Sequence, residues 1–132
     1  MGDEGWARER RSFPGWPQLT AALAQPQPNT TVCTVTGVVD MDTVPILSAA
    51  LAQAHRDGNL HLVIDLSAVT SMTAEGLYTL LVARHRHQMG DVGHLAVVVD
   101  PRSSAISELH AVSLRASFDL HHTIIEALQA CK

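Results

Sequence analysis

Hydroxyl, carboxylate and small side chains gather in one short stretch, Ser71-Met72-Thr73-Ala74-Glu75-Gly76-Leu77, just after the apolar run Leu62-Val63-Ile64-Asp65-Leu66. The segment from Val63 to Leu77 reads as a buried strand, a short turn and the start of a helix. The first turn of a helix carries backbone N–H groups without intrahelical partners at the positive end of the dipole, so a phosphate there is tolerated by the fold. Thr73 supplies a hydroxyl that can take a phosphoryl group; a threonine at this place equally serves as an N-cap, its oxygen accepting an N–H of the first turn. Ala74 can accept nothing. Glu75 favours the helix dipole by ~0.3–1 kcal/mol, and its charge beside Thr73 opposes a phosphate there.

Other chemistry finds little footing. There is no Gly-x-Ser-x-Gly elbow, no P-loop and no Gly-x-Gly-x-x-Gly, so the chain is not expected to be an enzyme. Ser67, Ser71 and Ser113 have no local histidine arrangement that marks a nucleophile. The chain has eight histidines. His85 and His87 lie two apart on a helix and point to different sides, His121 and His122 are adjacent and diverge, and His55, His61, His94 and His110 are scattered. No HxxxH or HExxH spacing occurs, so solvated helix faces and loop ends are expected, with no metal and no cofactor. Cys33 and Cys131 belong to no CxxC pair and read as free thiols of a reducing compartment; a regulatory disulfide would need their Cα atoms within bonding reach. Asp65, inside an apolar run, is expected to hydrogen-bond to the turn. Asp40 reads from its place as a solvated loop acid that caps the helix after it.

Strands and helices alternate along the rest of the chain. Residues 1–17 are polar and punctuated by Gly2, Gly5, Pro14, Gly15 and Pro17, a loose arm that Trp6, Phe13 and Trp16 would tack onto the domain. Leu19 to Ala24 suits a strand or a short helix, ended by Pro26-Gln27-Pro28-Asn29. Thr31 to Thr36 is β-branched and alternating, hence a strand that Gly37 closes. A helix capped at Asp42 or Thr43 carries Pro45 in its first turn, buries Ile46, Leu47, Ala50, Leu51 and Ala54, and stops at Asp57-Gly58-Asn59. Leu60 to Leu66 reads as a central parallel strand buried on both faces. A helix from about Ala74 to Gln88 follows, with Leu77, Leu80, Leu81 and Arg84 on one side; Gly90 and Gly93 bracket its end. His94 to Val99 is a strand, and a helix from Ser103 or Ser104 turns Ile106 and Leu109 inward. Phe118 to Leu120 is a last strand. Thr123 to Ala130 is a last helix with Ile124, Ile125 and Leu128 as its apolar face. This order implies right-handed βαβ crossovers and an α/β fold with a small, mostly parallel sheet.

Composition sets bounds on the whole. One domain fits 132 residues at 46% hydrophobic and 17% charged, and an aromatic content of 4% leaves an aliphatic core. A net charge of −4 argues against nucleic-acid binding. No apolar run approaches the ~20 residues of a membrane span, and residues 1–11 hold no apolar core of a signal peptide, so a cytoplasmic protein is expected.

Four patterns together resemble the STAS domain family, over about Leu19 to Ala130. They are Gly37-Val38-Val39-Asp40-Met41-Asp42-Thr43-Val44-Pro45-Ile46-Leu47; Val63 to Leu77; Val99-Asp100-Pro101 with Ile106, Leu109 and Leu114; and Phe118-Asp119-Leu120-His121 leading into Glu126-Ala127-Leu128. The resemblance implies a STAS domain at 18–132: a mixed, mostly parallel sheet of four or five strands with about four helices. The type most resembled is the bacterial anti-sigma factor antagonist. Such a protein binds an ATP-dependent anti-sigma kinase and frees a sigma factor, until the kinase phosphorylates it. In that family the turn reads Asp-Ser-Ser-Gly-Leu; here the same positions read Thr73-Ala74-Glu75-Gly76-Leu77, so Ala74 replaces the phosphorylated serine. Three consequences follow: an antagonist not switched off at this turn, which is favoured; a switch moved to Thr73 or Ser71; or a different partner. The partner surface implied is Asp40, Met41, Ser71, Met72, Thr73, Ala74, Glu75 and Leu77, with Thr73 the candidate phosphoacceptor and Gly76 allowing close approach. The alternatives are a STAS module of a stress-signalling or lipid-transport assembly and a small-molecule-sensing STAS domain.

Overall fold

A computed structural model describes residues 18–90 and 94–131, so the expected arm at 1–17 and Gly93 lie outside the described residues. The elements are β1 (Leu19–Gln27), β2 (Thr30–Val39), α1 (Val44–Asp57), β3 (His61–Met72), α2 (Ala74–Gly90), β4 (Leu95–Val98), α3 (Glu108–Ser117), β5 (Asp119–His121) and α4 (Ile124–Ala130). The five strands form one sheet in the order β1-β2-β3-β4-β5. β1 runs antiparallel to β2, and every later pair is parallel.

The period of two along each strand divides the core. Cys33, Ile64 and Val97 face one way, where Leu47, Leu51 and Ala54 of α1, Leu80 and Ala83 of α2 and Leu114 of α3 cover them. Val32, Val63, Ala96 and Val98 face the other way, against Ala127 and Cys131 at α4. The two thiols therefore lie on opposite faces of the sheet, both free and both buried, and the disulfide alternative is removed.

β3 runs to Met72, well past Leu66, and its pattern explains how. Leu66, Val69 and Met72 recur every third residue, yet all three join the same core face. A regular strand would turn Val69 to the opposite side. The β2–β3 ladder slips between Thr34 and Thr36 and again between Gly37 and Val38, and each slip gives β3 one extra residue. The Asp65 carboxylate shapes the first slip: its Oδ1 accepts from Ser67 N at 2.9 Å and from Ser67 Oγ at 2.6 Å.

Several boundaries differ from the sequence expectation. Gly37 does not close β2; the strand continues to Val39 with Gly37 at φ +112°, where a Cβ would stand 2.1 Å from the Gln18 carbonyl oxygen. α3 starts at Glu108, because Ser107 is the residue whose Oγ accepts from His110 N at 3.2 Å. That later start turns Leu109 outward, 75% exposed. Ile46 and Ile125 are likewise exposed, and Ala127 takes the inward place on α4.

Candidate functional site

The expected surface lies where β2 and β3 end together. Val38 pairs with Ser71 and Val39 with Met72, so the segments that follow, Asp40-Met41 and Thr73-Ala74-Glu75, emerge side by side. Thr73 N donates to the Val39 carbonyl at 3.0 Å and locks the second segment to the end of β2. Met72 N donates to the Ala105 carbonyl at 3.2 Å, which brings the segment before α3 to the same end of the sheet.

Asp40 acts as a local brace. Its Oδ1 accepts from Asp42 N at 2.9 Å and Thr43 N at 3.0 Å, and its carbonyl accepts from Val44 N at 2.9 Å. Thr43 occupies the N-cap of α1 without capping through its side chain; its hydroxyl donates to the Val38 carbonyl at 2.8 Å. The Asp40 carboxylate does not cap α1, whose N-cap is Thr43; it ties down the Asp42 and Thr43 N–H groups ahead of the helix and fixes the course of the loop that presents Met41. Met41 is 74% exposed.

Thr73 precedes α2, and its carbonyl accepts from Leu77 N at 3.2 Å. Its hydroxyl does not cap: Oγ1 is buried and takes no hydrogen bond. Ala74 and Glu75 are exposed, as is Ser71, while Met72 is buried and Leu77 is half-buried against the core. Gly76 is dictated by packing. A Cβ there would fall 2.5 Å from Val39 Cγ1 and 2.8 Å from Met72 Cγ, so the glycine sets how closely α2 approaches the sheet. The structure thus brings Met41, Ser71, Ala74 and Glu75 to the outer surface and uses Asp40, Met72, Thr73 and Leu77 beneath or behind it.

Tyr78 belongs with this surface and the sequence reading passed it over. It lies one helical turn beyond Ala74 and is 69% exposed. The available signal was an aromatic at i+4 from the helix start in a chain with few aromatics.

The model of a family described as "Mlab, STAS domain" matches residues 22–113, more than half of the chain. The chain belongs to the STAS domain family. No curated protein sequence matches it. Among solved structures, this STAS chain is similar to an anti-sigma factor antagonist from Mycobacterium paratuberculosis. The two share 29% identity with a TM-score of 0.76, over 92% of this chain and 98% of that one. It is also similar to SpoIIAA, described as an anti-sigma factor antagonist, in its unphosphorylated form. There the identity is 13% and the TM-score 0.64, over 84% of this chain and 96% of that one. The Bacillus cell-fate determinant SpoIIAA in its phosphorylated form matches at 16% and a TM-score of 0.64, over 86% and 100%. At the last two identities the likeness is one of fold. The five-stranded mixed sheet and the four helices agree with the STAS fold expected from the sequence.

A second constellation sits on the outermost strand. Asp119 Oδ2 contacts His94 Nε2 and lies 2.8 Å from His121 Nε2. Partial burial works against the Asp119 charge, but the hydrogen bonds of His121 and His94 outweigh it and hold the carboxyl below its ordinary value. The histidines that looked scattered in sequence are here partly gathered by strand pairing.

Proposed function

We propose that this chain is an anti-sigma factor antagonist: it binds an ATP-dependent anti-sigma kinase, displaces the sigma factor and is not switched off at the α2 turn. The observation that carries the reading is the pair Thr73 and Ala74. The first residue of α2, exposed to solvent, is Ala74, whose side chain has no oxygen to accept phosphate. The neighbouring hydroxyl is turned inward, buried and out of a kinase's reach. The surface around them suits partner binding, with Met41 and Tyr78 exposed for apolar contact and Ser71 and Glu75 as polar rim. The resemblance to the mycobacterial antagonist along nearly its full length supports the same role. The role is one of binding, without catalysis.

No helix among the described residues is long and apolar enough to cross a membrane. The proposed setting is the cytoplasm, where the kinase and sigma factor would be met.

The test is native mass spectrometry of the chain mixed with candidate anti-sigma kinases and Mg-ATP. A stable complex without phosphoryl gain supports the reading. Failure to bind any candidate moves the assignment to a second reading, a STAS interaction module of another assembly. That reading has its own support, since the matching family model is named for Mlab and not for the antagonists. Co-purification with membrane-transport proteins in place of sigma-regulatory kinases would mark it.

A further inference from the structure

We propose that His94, Asp119 and His121 form a binding site for a divalent late-transition cation, with Zn2+ as the representative ion. Strand pairing sets Asp119 and His121 beside the segment that carries His94 into β4. β4 and β5 run parallel with Ala96 opposite Asp119 and Val98 opposite His121. Asp119 and His121 are two apart on one strand and share a face, and His94, two residues before Ala96, projects to that same side. One ligand atom from each residue lies within 4.8 Å of the other two.

The donor set selects the ion class. Two imidazole nitrogens and one carboxylate oxygen suit zinc and its late-transition neighbours; Mg2+ and Ca2+ demand shells built from oxygen. Three protein ligands leave one tetrahedral position, and the site has room for water there: the side chains of His94, Asp119 and His121 are 34%, 42% and 18% exposed.

The backbone that presents the donors is fixed. His94 N donates to His61 Nδ1 at 3.1 Å, and the His94 carbonyl accepts from Leu62 N at 2.9 Å. The His61 ring meets the His94 ring edge-on with centroids 6.5 Å apart. The His121 carbonyl accepts from Val99 N at 3.0 Å. A bound cation would tie the three-residue edge strand β5 to the segment entering β4, and so hold α4, which follows β5, against its face of the sheet. His94 precedes Leu95, which pairs with Leu62 at the start of β3, whereas Met41 and Ala74 follow the paired ends of β2 and β3 at Val39 and Met72, so the site lies at the other end of the sheet from the proposed partner surface.

The test uses the full chain without an affinity tag, stripped of metal, titrated with ZnCl2 against a competing chelator and with CoCl2 followed by visible absorption. One equivalent of Zn2+ is expected at micromolar Kd or tighter, with a tetrahedral Co2+ spectrum and a raised Tm. Asp119→Asn and His121→Gln are each expected to weaken binding about tenfold or more, while His85→Gln leaves it unchanged. Should Asp119→Asn fail to fold by circular dichroism, His94→Gln at the half-open end carries the same comparison. Zn2+ must also perturb the His94 and His121 ring signals by NMR. Uptake only at millimolar concentration, or uptake of the same affinity in these variants, overturns the proposal: the triad is then a hydrogen-bonded brace, and any cation sits on other histidines.

Discussion

Gly76 of α2 lies so close to Val39 at the end of β2 that a Cβ on it would stand 2.5 Å from Val39 Cγ1. That approach sets the height at which Ala74 and Tyr78 stand above the sheet. Gly76→Ala forces Val39 and Met72 to move in a packed core, where overpacking costs about 1–3 kcal/mol. Denaturant unfolding should show a lower midpoint, with an extrapolated stability reduced by that amount.

Thr73 gives a prediction whose sign separates two roles. A hydroxyl that capped α2 would cost ~1 kcal/mol to remove. Here Oγ1 is buried without a partner, so Thr73→Val replaces an unsatisfied group with a methyl of the same shape. Relieving such a group is worth about 1 kcal/mol. Thr73→Val is expected to raise the midpoint of unfolding, and a fall would restore the capping role.

Burial pushes the Cys33 thiol up to about 11. Because the folded value lies above that of an unfolded thiol, ~8.5, the contribution to stability is fully present below the unfolded value. It is lost as pH rises through the folded one. Cys33 should therefore resist alkylation near pH 8 in the native chain and react rapidly once denatured. Mild oxidation should leave the mass unchanged, since Cys131 lies across the sheet. An intramolecular disulfide formed without unfolding would contradict this.

Met41 and Tyr78 are the large apolar groups of the proposed partner surface. Met41→Ala and Tyr78→Ala should each weaken kinase binding tenfold or more, about 1.4 kcal/mol. Tm should stay unchanged because neither side chain is packed inside. Ile125→Ala, on α4 and equally exposed, serves as the control and should leave affinity unchanged. Calorimetric titration against the kinase reads both.

The sequence made the order of elements legible because apolar periodicity and the turn residues agree over most of the chain. Asp57-Gly58 ends α1 as expected. The parallel sheet follows from nearly continuous apolar runs such as Leu62 to Leu66, broken only by Asp65. The end of β3 was not legible, because Leu66, Val69 and Met72 obey a strand pattern only once two bulges are inserted, and bulges depend on the partner strand. The helix after β4 was placed too early because Ser103, Ser104 and Ser107 all suit a cap, and local sequence does not choose among them. At the proposed site, the family frame pointed to Thr73-Ala74-Glu75, where β3 passes into α2. The inward rotation of the Thr73 hydroxyl is a tertiary outcome. So is the meeting of His94 with Asp119 and His121, whose separation in sequence hides a register of neighbouring strands.

The proposed partner surface carries no acceptor hydroxyl at Ala74. The most direct measurement compares the chain with Ala74→Ser, each incubated with the cognate anti-sigma kinase and Mg-ATP, by intact mass and by complex stability. The Ala74→Ser chain is expected to gain one phosphoryl group and dissociate, while the natural chain gains none and stays bound. A phosphoryl group appearing on the natural chain at Thr73 or Ser71, with loss of the complex, would contradict it.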